Sequence, residues 1–371
     1  MRINVITRHA PGNYGSLLQA IATQKIFQQL DYDCRIIDYI PKGETGAKVA
    51  FTQVKGKKNW NKNIIKKIAY ILSREPEYLV MHHKFFKMRK KYLNMTERFK
   101  NREDLEKKFC NSKDIFVTGR DQVWGPISDG NIDMTYFLNF LPDNTTKIAF
   151  ASSFGRAYFD DASLIKIKKS LKLYSSIGVR EDKAVELIKE MGIEAKQVLD
   201  PTLLITAEEW SKYINKIPKK QKYVLVYQIH NNPNLSNYAK QYAKKANLSL
   251  VRVSPLFHQI GRGGKFVWLP DIDKFLSLIK NAECLITDSF HGTAFALNFN
   301  TQFVEVLPNT GTSSRNQSIL KLTNLETRIV RNLDDFSYIN KKIDFAKVNK
   351  IIEKKRMESL SYLRKILNDE E

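Results

Sequence analysis

Short apolar runs alternate with longer stretches of helical periodicity along most of the chain. Residues 3–7 predict a strand, and the apolar positions of 17–30 recur at the three- and four-residue intervals of an amphipathic helix. A second strand is predicted at 35–40, and this spacing begins a parallel α/β sheet. The same pattern predicts strands at 114–119, 147–151, 175–181 and 198–204, and a helix at 183–191.

The alternation restarts after a predicted linker at 218–222. We therefore expect one α/β domain at 1–215, a second at 222–343, and a C-terminal helix within 344–371 that packs back on them. The elements predicted here are strands at 223–228, 249–253, 284–286 and 302–306, helices at 234–247, 273–281 and 318–322, and a long basic helix at 344–367.

Residues 42–110 interrupt the α/β pattern and predict a basic helical insert with helices at 61–72 and 77–92. From Lys42 to Lys108 there are 19 Lys and Arg against 7 Asp and Glu, which places +12 of the formal +22 in this segment. Two interpretations remain open: the helices cover a core with one face solvated, or they lie on an anionic membrane surface. In the second, the aromatic and methionine side chains of 77–92 would supply the apolar contact.

Composition narrows the function classes. At 371 residues and 43% hydrophobic content, the chain can build two domains. No apolar run reaches the roughly 18 residues of a membrane span. No signal peptide is apparent, so we expect a cytoplasmic protein that can also reach the inner face of the cell membrane.

Three widely separated cysteines fit a reducing compartment and predict no metal site. The charge implies an anionic partner, but no nucleic-acid-reading motif accompanies it, and nucleic acid is not expected.

The segment 284–299 combines a buried strand, a polar turn and a packed helix, the layout in which open α/β sheets bind ligands. A helix N-terminus offers free N–H groups to an anion, and a histidine there can exchange a proton near neutral pH. In the structural alternative, Asp288 and His291 form a hydrogen-bonded pair that ties down the turn. The predicted order is a strand end at 284–286, a polar cap at 287–289, a turn at 291–293 and a helix from 294.

Polar clusters follow several other predicted strands. A Gly-rich loop at 11–16, whose Ser16 can cap the next helix, matches neither the P-loop nor the dinucleotide-binding fingerprint. The other clusters are Arg120 with Asp121 after the strand at 114–119, and Ser314 with Arg315 in a small polar loop at 309–316.

Seven short motifs occur in a fixed order: Asn13-Tyr14-Gly15-Ser16-Leu17-Leu18-Gln19, Gly119-Arg120-Asp121-Gln122-Val123-Trp124, Ser153-Phe154-Gly155, Val179-Arg180-Glu181, Leu199-Asp200-Pro201-Thr202, Thr287-Asp288-Ser289-Phe290-His291-Gly292 and Ser313-Ser314-Arg315. In this order they resemble the polysaccharide pyruvyl transferase family, over about residues 3–330. Several motifs in register are more specific than any one of them.

The resemblance implies a GT-B-like α/β fold with two Rossmann-like parallel-sheet domains facing a cleft. The N-terminal domain would serve the acceptor and the C-terminal domain the donor. The implied enzyme is a transferase that moves the enolpyruvyl group of phosphoenolpyruvate onto a sugar, forms a pyruvate ketal and releases phosphate. It would need no cofactor beyond this donor. Its acceptor would be a glycan or lipid-linked oligosaccharide for exopolysaccharide, capsule or cell wall.

The resemblance also implies roles for individual residues. His291 matches the family's histidine and is the implied general acid or base. Arg180 and Arg315 match family arginines and are candidate clamps for carboxylate and phosphate. The remaining substrate-binding candidates are Asn13, Tyr14 and Gln19 toward the acceptor, together with Arg120, Asp121, Asp288, Ser289, Gly292 and Ser314.

Two positions depart from the family pattern. Ser289 stands where relatives often carry an arginine, and Arg120 stands where many carry a serine. The missing cation has to be replaced by Arg315, Arg180 or Arg120, or the donor differs. Two other function classes therefore stay open: a glycosyltransferase that uses a nucleotide sugar on the same fold, and a non-catalytic basic binding protein.

Overall fold

A computed structural model describes residues 2–41, 44, 49–55, 62–120, 122–127, 130–155, 159–215, 222–307 and 313–368. Contacts divide the chain into two compact units, which we call unit 1 (Met1–Pro201 with Ser359–Glu371) and unit 2 (Thr202–Glu358). Residues 202–215, which the sequence analysis assigned to the first domain, group with unit 2. The predicted linker at 218–222 lies outside the described residues except for Lys222.

Unit 1 is built on a seven-stranded sheet in which every neighbouring pair is parallel. Its central strands are nearly continuous apolar runs, as expected when both faces of a sheet are covered. The strands are β1 (Arg2–Ile6), β2 (Asp33–Tyr39), β3 (Met95–Phe99), β4 (Ile115–Arg120), β5 (Lys147–Ser152), β6 (Ser176–Val179) and β7 (Lys196–Gln197). Their spatial order is β3-β2-β1-β4-β5-β6-β7, so the order reverses between β1 and β4. The carboxyl ends of β1 and β4 form the switch point where ligands bind in such sheets.

The helices of unit 1 are α1 (Tyr14–Gln29), α2 (Val49–Lys55), α3 (Ile64–Tyr92), α4 (Arg102–Phe109), α5 (Asp161–Leu171) and α6 (Asp182–Glu190). The start of α1 differs from the prediction, because Asn13 rather than Ser16 caps it. The Asn13 side chain accepts a hydrogen bond from the Gly15 N–H at 2.8 Å, and Ser16 lies inside the helix.

Helix α3 replaces the two helices predicted at 61–72 and 77–92. The helix continues through Pro76, although an interior proline costs about 3 kcal/mol, and Tyr70 and Met81 on either side of it are both buried. Tyr78, Phe85 and Met88 are buried too, so these side chains pack into unit 1 and are not the membrane-facing ones. The prediction that they contact lipid is wrong.

Unit 2 contains a five-stranded parallel sheet in the order β10-β9-β8-β11-β12, formed by β8 (Tyr223–Tyr227), β9 (Ser249–Ser254), β10 (Lys265–Trp268), β11 (Cys284–Thr287) and β12 (Phe303–Glu305). The switch point therefore lies between β8 and β11. The helices are α7 (Pro201–Leu204), α8 (Ala207–Ser211), α9 (Pro233–Lys245), α10 (Ile272–Lys280), α11 (Phe290–Phe299), α12 (Ser314–Leu322) and α13 (Phe345–Asn368).

Helices α7 and α13 lie where the chain passes from one unit to the other. The strand predicted at 198–204 is wrong, since α7 starts there with a proline at its first position, where the missing N–H is tolerated. Helix α13 confirms the predicted C-terminal helix and belongs to unit 2 up to Glu358 and to unit 1 from Ser359. Among the described residues, no helix is long and apolar enough to cross a membrane.

Candidate functional site

The switch point of unit 2 is held together by Asp288, which follows β11. Its Oδ1 accepts a hydrogen bond from the Ile229 N–H at 2.7 Å, and its Oδ2 accepts one from the His230 N–H at 3.0 Å. The His230 Nδ1 lies 3.3 Å from the same Oδ2. Asp288 therefore ties the loop after β8 to the start of α11. The structural alternative drawn from the sequence paired Asp288 with His291, whereas this carboxylate binds the loop.

Helix α11 starts earlier than predicted, because Ser289 caps it. The Ser289 Oγ accepts from the Gly292 N–H at 3.2 Å, and the Ser289 N–H donates to Thr287 Oγ1 at 3.0 Å. A Cβ at position 292 would lie 2.7 Å from Thr287 Oγ1, so a glycine there allows the helix to approach the strand ends. The turn predicted at 291–293 is wrong, since these residues form the first turn of α11.

His291 thus stands at the N-terminus of a helix at the switch point, where the helix dipole favours negative charge. Its side chain is buried, with 2% of the residue exposed, and its ring packs perpendicular to that of Phe290 at 5.2 Å. The burial fixes the ring's position, as a proton-transfer group requires. It also means that this histidine contributes to packing, which a histidine in an open turn would not.

A buried carboxyl group lies beside this helix end. Glu305 ends β12, and its oxygens accept hydrogen bonds from Thr293 Oγ1 in α11 and from Asn316 Nδ2 in α12, the latter at 3.0 Å. Burial raises the pKa of Glu305 to about 7, the charge of Asp288 adds to this rise, and the two hydrogen bonds oppose it. The sequence analysis missed Glu305. The feature that could have indicated Glu305 is a single acidic residue between Val304 and Val306 in an otherwise apolar predicted strand.

Ser314 and Arg315 lie in the first turn of α12, because this helix begins at Ser314 and not at the predicted residue 318. Arg315 is buried, and the next residue, Asn316, donates to Glu305. The α12 start is thereby anchored to the same carboxyl group as the α11 start. Residues 309–312 of the predicted polar loop lie outside the described residues.

At the switch point of unit 1, two side chains that follow β1, Arg8 and His9, each bind a carboxylate. The Arg8 Nη2 donates to Glu44 Oε1 at 2.6 Å. The His9 Nε2 lies 2.9 Å from Asp38 Oδ1, and the Arg98 Nε donates to Asp38 Oδ2 at 3.0 Å. Burial acts to raise the pKa of Asp38, but His9 and Arg98 outweigh it and hold that pKa below its ordinary value. The sequence analysis missed this cluster.

Arg180 is a further buried cation of unit 1, with 2% of its side chain exposed. Its Nη1 donates to Asp200 Oδ2 at 2.7 Å, and its Nε lies 3.7 Å from Glu181 Oε2. Ser153 Oγ donates to the other Glu181 oxygen at 2.6 Å. Three of the sequence motifs therefore meet in one ion-pair network, and two carboxylates neutralise the guanidinium.

The family model for polysaccharide pyruvyl transferases matches residues 13–310, which is most of the chain and includes His291, Glu305 and Arg180. The chain belongs to the polysaccharide pyruvyl transferase family. No curated protein matches it by sequence.

Several solved structures have the same fold as this chain. Trehalose-6-phosphate synthase OtsA superposes with a TM-score of 0.55 at 10% identity, over 100% of this chain and 99% of that one. UDP-GlcNAc 2-epimerase from Methanocaldococcus jannaschii, in complex with UDP-GlcNAc and UDP, gives 0.51 at 14% identity, over 99% of each chain. MnaA from S. aureus, with UDP, gives 0.51 at 9% identity, over 97% of this chain and 90% of that one. The predicted GT-B-like fold is confirmed.

The remaining candidates from the pyruvyl transferase resemblance fall into three groups: a helix cap, two buried residues, and two residues whose side chains the structure does not describe. Asn13 caps α1, while Tyr14 is buried 5.2 Å from the Phe85 ring. Gln19 is buried and donates to Thr23 Oγ1 at 3.3 Å. Arg120 ends β4, but its side chain lies outside the description, as does all of Asp121.

No group of three or more His, Cys, Asp or Glu that could hold a metal occurs among the described residues. In unit 2, His291 stands in a helix N-terminus whose Thr293 bonds the buried acid Glu305, and Arg315 precedes Asn316, which bonds the same acid. This set suits an anionic substrate and a proton transfer.

Proposed function

We propose that this pyruvyl transferase family member is a cytoplasmic enzyme that transfers the enolpyruvyl group of phosphoenolpyruvate to two hydroxyl groups of a sugar. The observation that carries the proposal is the family match over residues 13–310, which includes His291 at the start of α11. The acceptor is a glycan precursor of the cell surface, for exopolysaccharide, capsule or cell wall, as the family suggests.

The proposed conversion balances without a cofactor. A proton adds to the methylene carbon of phosphoenolpyruvate, which becomes the methyl group of the ketal, and the first hydroxyl oxygen bonds to the central carbon. The carbon–oxygen bond to phosphate then breaks, and the second hydroxyl oxygen takes its place. Of the two hydroxyl protons, one balances the proton gained by the methyl group, and the other leaves with phosphate.

Unit 2 supplies the groups that this chemistry needs. His291 is the proton-transfer residue, held in place by its burial in the first turn of α11. The N–H groups at the start of α11 and the guanidinium of Arg315 in α12 bind the carboxylate and phosphate. Glu305 links the two helix starts and, with its pKa near 7, tunes the charge around them.

Arg180 has a different part in this proposal. Its buried pairing with Asp200 and Glu181 gives it a structural role in unit 1, so Arg315 replaces it as the main donor-binding cation. The acceptor binds to unit 1, where the Asn13 cap orients the loop that precedes α1.

A nucleotide sugar is the second candidate donor. Ser289, which stands where relatives often carry an arginine, is used as the helix cap, a role that an arginine side chain cannot fill. One structure of the same fold, the M. jannaschii epimerase, contains UDP-GlcNAc.

The proposal is tested by phosphate release from phosphoenolpyruvate in the presence of glycan acceptors. The reaction is run in D₂O, where the ketal methyl group should gain one deuterium, visible as a mass increase of about one unit in the product. Wild type should release phosphate only with an acceptor. If it instead turns over UDP-sugars and leaves phosphoenolpyruvate untouched, the second candidate replaces the first.

A further inference from the structure

Helix α3 has a second apolar face, which points away from the core of unit 1. Ile64, Ile65 and Leu72 are 67%, 75% and 70% exposed, and Ile68 and Leu79 are also exposed. At about 100° per residue, these five positions fall within an arc of about 100° on the helix. The buried residues of α3, such as Met81 and Phe85, lie on the other side. Large aliphatic side chains grouped in this way mark an interaction surface, since single exposed ones are ordinary but a contiguous stripe is not.

A neighbouring aromatic ring extends this stripe. Phe51 of α2 is exposed, and the ammonium groups of Lys55 and Lys67 lie 5.2 Å and 5.0 Å from its ring centre. Helices α2 and α3 pack against each other, so the ring and the stripe belong to one part of unit 1. We call Phe51, Ile64, Ile65, Ile68, Leu72 and Leu79 the α3 face.

The sequence around the α3 face carries an excess of positive charge. Between residues 45 and 74 the chain has eight Lys and Arg and no Asp or Glu. Lys66 is exposed next to Ile65, and Lys62 is exposed just before the helix begins. Glu75 falls within the arc of the stripe, and its carboxylate accepts a hydrogen bond from the Ala50 N–H at 3.0 Å. An apolar stripe with an excess of cations beside it fits a partner that is apolar inside and anionic at its surface.

We propose that the α3 face lies on an anionic phospholipid bilayer, with Ile64, Ile65, Ile68 and Leu72 reaching the acyl boundary and the lysines contacting the headgroups. The amphipathic design of an interfacial helix matches this stripe. A second copy of the chain fits less well, because it would bring two segments of the same positive charge together. The proposal does not depend on the reaction above, since membrane binding can be measured without any substrate.

The test is flotation of the full-length protein with vesicles that contain about 30% phosphatidylserine, at low and high salt. Wild type should float at low salt and less at high salt, because each Lys or Arg near an anionic surface adds attraction that salt screens. Ile65→Ser with Leu72→Ser should weaken binding at least about tenfold. Lys62→Gln with Lys66→Gln should weaken binding at low salt and reduce the salt dependence.

The matched control is Ile165→Ser, since Ile165 is 70% exposed on α5 of the same unit and lies outside the α3 face. It should bind vesicles as wild type does. All these side chains are exposed, so each variant should keep the melting temperature of wild type, which calorimetry checks.

Two results would overturn the proposal. One is equal flotation of wild type and the Ile65→Ser, Leu72→Ser variant at low salt, whether both bind or neither binds. The other is a dimer of wild type in analytical ultracentrifugation that this variant loses while vesicles have no effect, which would assign the α3 face to a second copy of the chain.

Discussion

The carboxylates at the carboxyl ends of the two sheets bind different partners. In unit 1 they contact arginine and histidine side chains, whereas in unit 2 they accept hydrogen bonds mainly from uncharged N–H and O–H groups. In unit 1, Asp38 contacts His9 and Arg98, and Arg180 contacts Asp200. In unit 2, Glu305 accepts from a hydroxyl and an amide, and Asp288 accepts from two backbone N–H groups in addition to its contact with His230.

This difference determines which of these carboxyl groups titrates near neutral pH. Hydrogen bonds from His9 and from the Arg98 cation hold the pKa of Asp38 below its ordinary value, so that acid stays ionised. Burial in turn lowers the pKa of His9. Burial without a cation raises the pKa of Glu305 to about 7. Of the two acids, Glu305 is therefore the one suited to acid–base chemistry near neutral pH.

The largest expected effect comes from His291. Replacing it with Asn should lower kcat for phosphate release by roughly two to four orders of magnitude, because a positioned proton-transfer group contributes that much. The exposed His83→Asn is the matched control and should leave kcat unchanged. A His291→Asn protein that melts much earlier but keeps its activity per folded molecule would make this residue structural, like the ion pairs of unit 1.

The Arg180 ion pair tests whether the buried charges of unit 1 stabilise the fold. Arg180→Met should cost about 3–5 kcal/mol of stability in urea unfolding, because it leaves Asp200 buried without its cation. Adding Asp200→Leu should restore much of that loss. Arg102→Met, at an exposed pair of the same unit, should cost no more than about 1 kcal/mol. Unchanged stability with a weakened donor Kd would return Arg180 to the role that the family resemblance implies.

The raised pKa of Glu305 predicts that the free energy of unfolding depends on pH. Its pKa is raised in the folded protein, so its contribution is fully present below the unfolded pKa and is lost as pH rises through about 7. Glu305→Gln should remove this loss and change the difference in unfolding free energy between pH 5 and pH 8 by on the order of 2–3 kcal/mol. Parallel stability curves for the two proteins would mean that Glu305 titrates as an ordinary surface acid does.

The smallest expected effect concerns Arg315. Arg315→Ala should raise the donor Kd roughly 10- to 100-fold, the range of a charge-assisted hydrogen bond. Arg315→Lys should recover only part of this, since lysine lacks the planar fork. The exposed Arg331→Ala in the same unit is the control. Donor binding that is equal in all three variants and wild type would exclude Arg315 from the site.

Much of the fold could be predicted from the sequence, because buried parallel strands are short apolar runs separated by helical periodicity. The central strands β4, β5, β8 and β11 lie within two residues of their predictions. The edge strands β3 and β10 were missed, since their half-exposed residues carry polar and apolar side chains without a buried run.

The site was predictable only where its residues are close in sequence. His291 and Ser289 belong to one strand–turn–helix segment, which made that segment visible as a motif. His9 and Asp38 are 29 positions apart, and Glu305 receives its bonds from two different helices, so these contacts exist only after folding. The ion pair that neutralises Arg180 was hidden for the same reason.

The comparison between the units depends most directly on the titration of Glu305. Carbon-13 NMR of the protein labelled at the glutamate carboxyl carbons can follow it, with Glu305→Gln identifying the resonance. We predict a midpoint near pH 7. A midpoint near the ordinary value of 4.5 would contradict the claim that unit 2 holds a carboxyl group that exchanges protons near neutral pH.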